Sequence, residues 1–147
     1  MQDIIEEIKN DNLEEVKKLL TEEIEKDYYK GFNLLHWAAL YNAPKIAKYL
    51  LSIGLDVDSR TNGIERILSH PNRNDTIIRN LITLHPEVKD FIGASPLIIA
   101  CEKGHIEVAK ILIKNNADVN YKDNDDNTPL TGLSLNYINN PLSTPGE

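Results

Sequence analysis

Four histidines, one cysteine and a run of carboxylates are the side chains in this chain with the most chemical reach. His70 and His85 each precede a proline. A two-histidine metal site there would need a Cys or carboxylate at familiar ligand spacing, and none follows. Asp123-Asn124-Asp125-Asp126-Asn127 has the composition of a calcium loop. Such a loop wants Gly at its sixth place and Glu at its twelfth, and Thr128 and Ser134 stand there instead. A polar turn is the better reading. Cys101 follows Ala100 inside an apolar helical run, so its thiol has no partner in the chain for a disulfide. Ser52, Ser59 and Ser69 lie in no nucleophile motif, and neither a P-loop nor a paired-cysteine motif occurs. Nothing in the spacing asks for a cofactor, and none is expected.

The elements that would position these groups are read from periodicity. Ser95-Pro96-Leu97 returns as Thr128-Pro129-Leu130 at an interval of 33 residues. Lys45–Asp58 (KIAKYLLSIGLDVD), 76–89 (TIIRNLITLHPEVK) and Glu107–Asn120 (EVAKILIKNNADVN) share apolar positions at Ile46, Ile77 and Val108, then at Leu50, Leu81 and Leu112. Gly31, Gly63 and Gly93 precede these units, and Asp126 holds the fourth such place. Ser or Thr before Pro is a helix start, because the hydroxyl caps free N–H groups and Pro suits the first helical position. Val108, Ala109, Leu112 and Ile113 then form one apolar stripe on a second helix. Each unit is too small to bury its own apolar face and must lean on a neighbour.

Composition limits the function classes. At 147 residues the chain is one compact domain or one short array. A formal charge of −7 disfavours nucleic acid and anionic membrane as partners. Ile4, Ile5 and Ile8 alternate with acids rather than forming the apolar core of a signal peptide, and no stretch is long enough to insert into a membrane. The lone cysteine fits a reducing, cytoplasmic setting, or delivery into a host cell if the source is an intracellular microbe. The acidic pairs Glu6-Glu7 and Glu14-Glu15 read as solvated helix faces.

The units resemble the ankyrin repeat, in which a β-turn leads into two antiparallel helices. Ser95-Pro96-Leu97 and Thr128-Pro129-Leu130 are similar to its T-P-L signature; Asn33-Leu34-Leu35-His36 keeps the histidine, and Gly104-His105 with Ala117-Asp118-Val119-Asn120 completes the motif. Asp11–Leu20 is similar to the second helix of an opening unit. The resemblance implies an all-α solenoid of helix–turn–helix repeats joined by β-turn loops. About four repeats are expected (1–30, 31–62, 63–92 and 93–125) with a partial unit over 126–147, all in a single domain. The unit from Gly63 departs most, with Glu65-Arg66-Ile67-Leu68 in place of the signature and Pro71 inside its first helix.

The resemblance also implies a role: a non-catalytic, monomeric module that binds another protein through a concave face of turn tips and first helices, as scaffold, inhibitor or effector. It assigns His36 and His105 structural parts across the turns. Carried onto this sequence, the tips are Arg60, Thr61, Asn62, Tyr121, Lys122 and Asn124, and the inner helix positions are Trp37, Leu40, Tyr41, Ile99, Glu102 and Lys103. Trp37 fits either a groove aromatic or a core residue packed near Ile99. Two other functions compete. One is a regulatory or targeting fragment of a larger enzyme, suggested by the unstacked Leu133–Leu135 face. The other is a small metal-dependent enzyme built on His70 and His85.

Overall fold

The computed structural model describes residues 4–20, 33–61, 91 and 93–139. Among them are seven helices and no strand. They are α1 (Ile4–Lys9), α2 (Leu13–Leu19), α3 (Leu34–Leu40), α4 (Pro44–Ser52), α5 (Pro96–Lys103), α6 (Ile106–Lys114) and α7 (Pro129–Asn139). They form three helix pairs and a last single helix. First helices stack as α1–α3–α5–α7, and second helices as α2–α4–α6.

Local chemistry explains where the helices start. The Ser95 hydroxyl accepts the Ile98 N–H (3.3 Å) with Pro96 at the first helical position. Thr128 repeats the arrangement, its Oγ1 accepting the Thr131 N–H (3.3 Å) ahead of Pro129. Asn33 does the same work for α3 with its amide oxygen, which accepts the N–H groups of Leu35 and His36. The turns between paired helices need a left-handed residue. Asp11 (φ 51°), Asn42 (φ 55°) and Gly104 (φ 73°) hold that place at intervals of 31 and 62 residues. Short polar residues and glycine are the types that tolerate it.

Small and branched residues fill the space between units. Ala38, Ala39, Ala43 and Ala47 are buried around α3 and α4, and Leu97, Ile98, Ile99 and Ala100 around α5. Polar groups also tie unit to unit. The Asp11 carboxylate accepts the N–H groups of Lys45 (3.3 Å) and Ile46 (3.2 Å), so one unit's turn caps the next unit's second helix, α4, which has no side-chain cap of its own. His105 Nδ1 donates to the Ala39 carbonyl across 2.8 Å.

That last bond has a consequence for the order of the stack. α3 packs directly on α5, and α4 on α6. Apart from Phe91, the unit expected at 63–92 lies outside the described residues, yet the regular units on either side of it are immediate neighbours. The chain meets itself at the edge of that interval. Thr61 N–H donates to the Ala94 carbonyl and Gly93 N–H to the Thr61 carbonyl, each at 2.9 Å. The Thr61 hydroxyl donates to the Phe91 carbonyl (3.0 Å) and accepts the Ala94 N–H (2.9 Å). Arg60-Thr61 and Gly93-Ala94-Ser95 are thus two sides of one turn that leads into α5. The described helices make three pairs and the single α7, and the expected unit bounds across 63–92 fall outside the described residues but for Phe91.

Candidate protein-binding surface

The residues proposed for the inner helices divide by their position along the helix. Trp37 and Ile99 share one register, 62 residues apart, and both are fully buried. Leu40 is buried as well. Leu40 and Ile99 were expected to line the groove and Trp37 either to line it or to join the core; the structure buries all three. The middles of α3 and α5 are clamped between the first helices of their neighbours, so only their C-terminal ends reach the surface. Tyr41, Glu102 and Lys103 stand there, half-buried. Tyr41 stacks on Trp37 with ring centroids 6.2 Å apart and planes at 14°, and Lys9 Nζ lies over the Tyr41 ring at 5.5 Å from its centroid. Lys103 Nζ lies 6.0 Å from the Phe91 ring.

The turn tips divide in a similar way. Thr61 was expected to project, but it is buried, and its hydroxyl and backbone are committed to the clasp with Phe91, Gly93 and Ala94. Asn62 lies outside the described residues. The other four come together. Arg60 Nη1 donates to Tyr121 Oη (3.0 Å) and to the Lys122 carbonyl (3.3 Å), and Nη2 donates to Asn124 Oδ1 (2.7 Å). The guanidinium also sits 5.5 Å from the Tyr121 ring centroid. One planar cation therefore joins two successive tips, as its fork of donors allows. A second link lies beside it, where the Asp118 N–H donates to Asp58 Oδ1 at 2.9 Å.

Gly93 is required beneath this cluster. Its φ is +70°, and a Cβ there would meet Asn124 Oδ1 and approach Arg60 Nη2 to 3.0 Å. Gly93→Ala is expected to cost about 1–2 kcal/mol from the left-handed backbone alone. It should also push Asn124 off Arg60. Urea denaturation measures the first effect, and the loss of the Arg60–Tyr121 contact should appear as increased Tyr121 ring mobility by NMR. An alanine variant as stable as wild type would show that the turn is not held at this φ.

The remaining chemically able groups are occupied structurally. The Asp123 carboxylate accepts the N–H groups of Asp125 and Asn127 (both 2.8 Å) and the Asn127 side-chain amide (3.1 Å), which makes the acidic run a turn. Burial raises the Cys101 thiol to about 11, so it is protonated at neutral pH and a poor nucleophile. His36 is buried with both ring nitrogens bonded. Nδ1 accepts the Asn33 N–H (3.0 Å) and Nε2 donates to the Ser59 carbonyl (2.7 Å). Among the described residues no three His, Cys, Asp or Glu side chains gather as a metal site would require. His70 and His85 lie outside those residues. Among the described residues, no helix is long and apolar enough to cross a membrane.

Sequence reasoning missed two linking residues, Asp11 and Asp58. Asp11 was legible in principle, because it shares the left-handed register of Asn42 and Gly104. Asp58 carried no such signal, since its partner is a backbone N–H 60 residues away. Residues 6–61 and 67–137 match the family model for ankyrin repeats in three copies. No curated protein matches the chain.

Proposed function

The chain belongs to the ankyrin-repeat family, and from that premise we propose that it is a non-catalytic module binding a partner protein on its concave side. Stacks of this kind act by presenting side chains on a rigid frame. One observation carries the reading for this chain. Exposed Arg60, Lys122 and Asn124 and the half-buried Tyr121 form a single cluster across two turn tips, held in place by three hydrogen bonds from one guanidinium. Tyr and Arg are the residue types that dominate binding hot spots, and fixing them beforehand lowers the entropy lost on association. Tyr41, Glu102 and Lys103, at the exposed ends of the first helices, extend the surface.

The test is affinity capture from cells with wild type and a Tyr41→Ala/Tyr121→Ala double variant. A protein retained by wild type and lost with the double variant supports the reading, provided circular dichroism shows the variant folded at the capture temperature. Both tyrosines are half-buried against the core and Tyr41 stacks on Trp37, so some stability is lost but the fold is expected to remain. Equal capture by both proteins would remove this surface as the binding site.

A further inference from the structure

The side proposed for partner binding carries cations that have no carboxylate of their own. Among the described residues the ion pair within reach is Lys18 with Glu15 (3.2 Å), on α2, and none of Lys9, Arg60, Lys103 and Lys122 takes part in one. Aromatic rings hold three of these four. Lys9 lies over Tyr41, Arg60 over Tyr121 and Lys103 over Phe91. A cation seated on a ring keeps its charge and gives up part of its water.

The seats follow the stack. Tyr41 at the end of α3 and Lys103 at the end of α5 are 62 residues apart, the interval between Trp37 and Ile99, so they hold the same place on packed first helices. Lys9, at the end of α1, reaches Tyr41 from the unit before. Phe91 joins this row to the turn tips, because its carbonyl accepts the hydroxyl of Thr61, the residue after Arg60 (3.0 Å).

Arg60 has donors to spare. A guanidinium carries five N–H groups. Three bonds go to Tyr121, Lys122 and Asn124, two from Nη1 and one from Nη2. One N–H on Nη2 and the one on Nε remain, on adjacent nitrogens, which is the spacing a carboxylate grips with both oxygens. The carboxylates of the tips are mostly committed elsewhere. Asp58 accepts the Asp118 N–H, Asp118 the Asn120 N–H, and Asp123 three donors of its own turn. Asp125 and Asp126 stand at the exposed end of that turn.

We propose that the partner meets this side with an extended acidic segment, one carboxylate gripped by Arg60 and others met by Lys103 and Lys9. The proposal rests on the binding surface inferred above and adds the partner's chemistry to it. α1 and α5 are two helix spacings apart, about 16–20 Å. An extended chain covers that distance in about five or six residues. The acidic residues are therefore expected at wide spacing and not in one run. An acidic peptide fits better than nucleic acid, because a chain of charge −7 repels a polyanion as a whole and attracts only at these local cations.

The probe is a fluorescein-labelled peptide of about 12 residues, with three glutamates spaced about five apart on a Gly/Ser/Thr background. Two companion peptides carry glutamine or lysine in place of the glutamates. Fluorescence anisotropy should show the glutamate peptide binding about tenfold more tightly than the glutamine peptide at low salt, with the gap closing as salt rises. Amide shifts should gather around Lys9, Arg60 and Lys103. Arg60→Gln and Lys9→Gln/Lys103→Gln should each erase most of the gap, in proteins that circular dichroism shows to be folded. Lys48→Gln/Lys110→Gln removes the same charge from exposed positions on α4 and α6 and should leave the gap as it is. Preference for the lysine peptide would overturn the proposal, because Asp125 and Asp126 would then set the sign of the surface. Equal binding of the glutamate and glutamine peptides would overturn it too, as would an equal loss in Lys48→Gln/Lys110→Gln. The binding surface itself fails separately. A captured partner released by Tyr41→Ala/Tyr121→Ala, yet held by Arg60→Gln and by Lys9→Gln/Lys103→Gln, would sink the acidic segment and leave the surface standing.

Discussion

Trp37→Ala is expected to cost about 3–5 kcal/mol, the largest single loss of any substitution in the described core. Trp37 has no exposed surface and is the largest fully buried side chain. It sits on α3, the helix that packs on both α1 and α5. Truncation therefore opens a cavity at two unit interfaces at once, and in a stack of this kind stability is close to a sum of unit and interface contributions. Tyr41 loses its stacked partner in the same step, which is worth about 0.5–1.5 kcal/mol beyond area alone. Urea denaturation followed by circular dichroism measures the total. Loss of the helical signal before denaturant is added would also fit, since domains of this size hold only about 5–15 kcal/mol. A cost below about 1 kcal/mol would place Trp37 at the surface and restore it to the groove. Trp37→Phe is the companion variant, expected to retain the fold.

The fate of Trp37 shows what was and was not legible before the structure. The helix starts at Ser95-Pro96 and Thr128-Pro129, the apolar stripe through Val108, Ala109 and Leu112, and the structural parts of His36 and His105 all follow from side chains acting on backbone a few residues away or on a repeated register. Those are local facts, and sequence carries them. Which face of a first helix a neighbour covers is not local. Trp37, Leu40 and Ile99 lie on α3 and α5 at positions that look equally suited to groove or core, and only the close approach of α1, α3 and α5 decides. Thr61 is similar: its hydroxyl reads as a tip group until Phe91 and Ala94 come within hydrogen-bonding distance. The stacking of α3 directly on α5 was the least legible feature. The Arg60 cluster shows the reverse case. In the sequence its members are separate tip positions, and the structure supplies the bonds that join them.

Stability should fall with pH through the range in which histidine ordinarily titrates, and His36 is expected to be the reason. Its pKa is lowered from 6.5 to about 4, first by burial, which disfavours the charged ring, against a smaller opposing effect of the Ser59 carbonyl. Geometry gives the same direction. Nδ1 accepts the Asn33 N–H, and a protonated ring would have no lone pair to offer there. The sign follows from the two states. Above about pH 6.5 the ring is neutral both folded and unfolded, and the full stability is present. Below it the unfolded chain takes up a proton that the folded chain refuses until about pH 4, so stability is lost as pH falls across that window. The loss reaches about 3 kcal/mol by pH 4, because each pH unit between the two midpoints corresponds to about 1.36 kcal/mol. Carboxylates titrate near the lower end of the same window, so the measurement is a difference. Wild type and His36→Gln are unfolded in urea at intervals between pH 7.5 and pH 4. The variant is less stable at pH 7.5, because glutamine cannot serve both Asn33 and Ser59 in the ring's geometry. Its deficit should shrink by about 3 kcal/mol as pH falls, since it has no ring to protonate. A deficit that stays constant would mean that His36 titrates alike in both states and that the Asn33 N–H bond does not hold the ring neutral. Direct observation of the ring's carbon-bound protons by NMR provides the second readout, with a folded-state midpoint near pH 4 expected and one near 6.5 contradicting the buried tautomer.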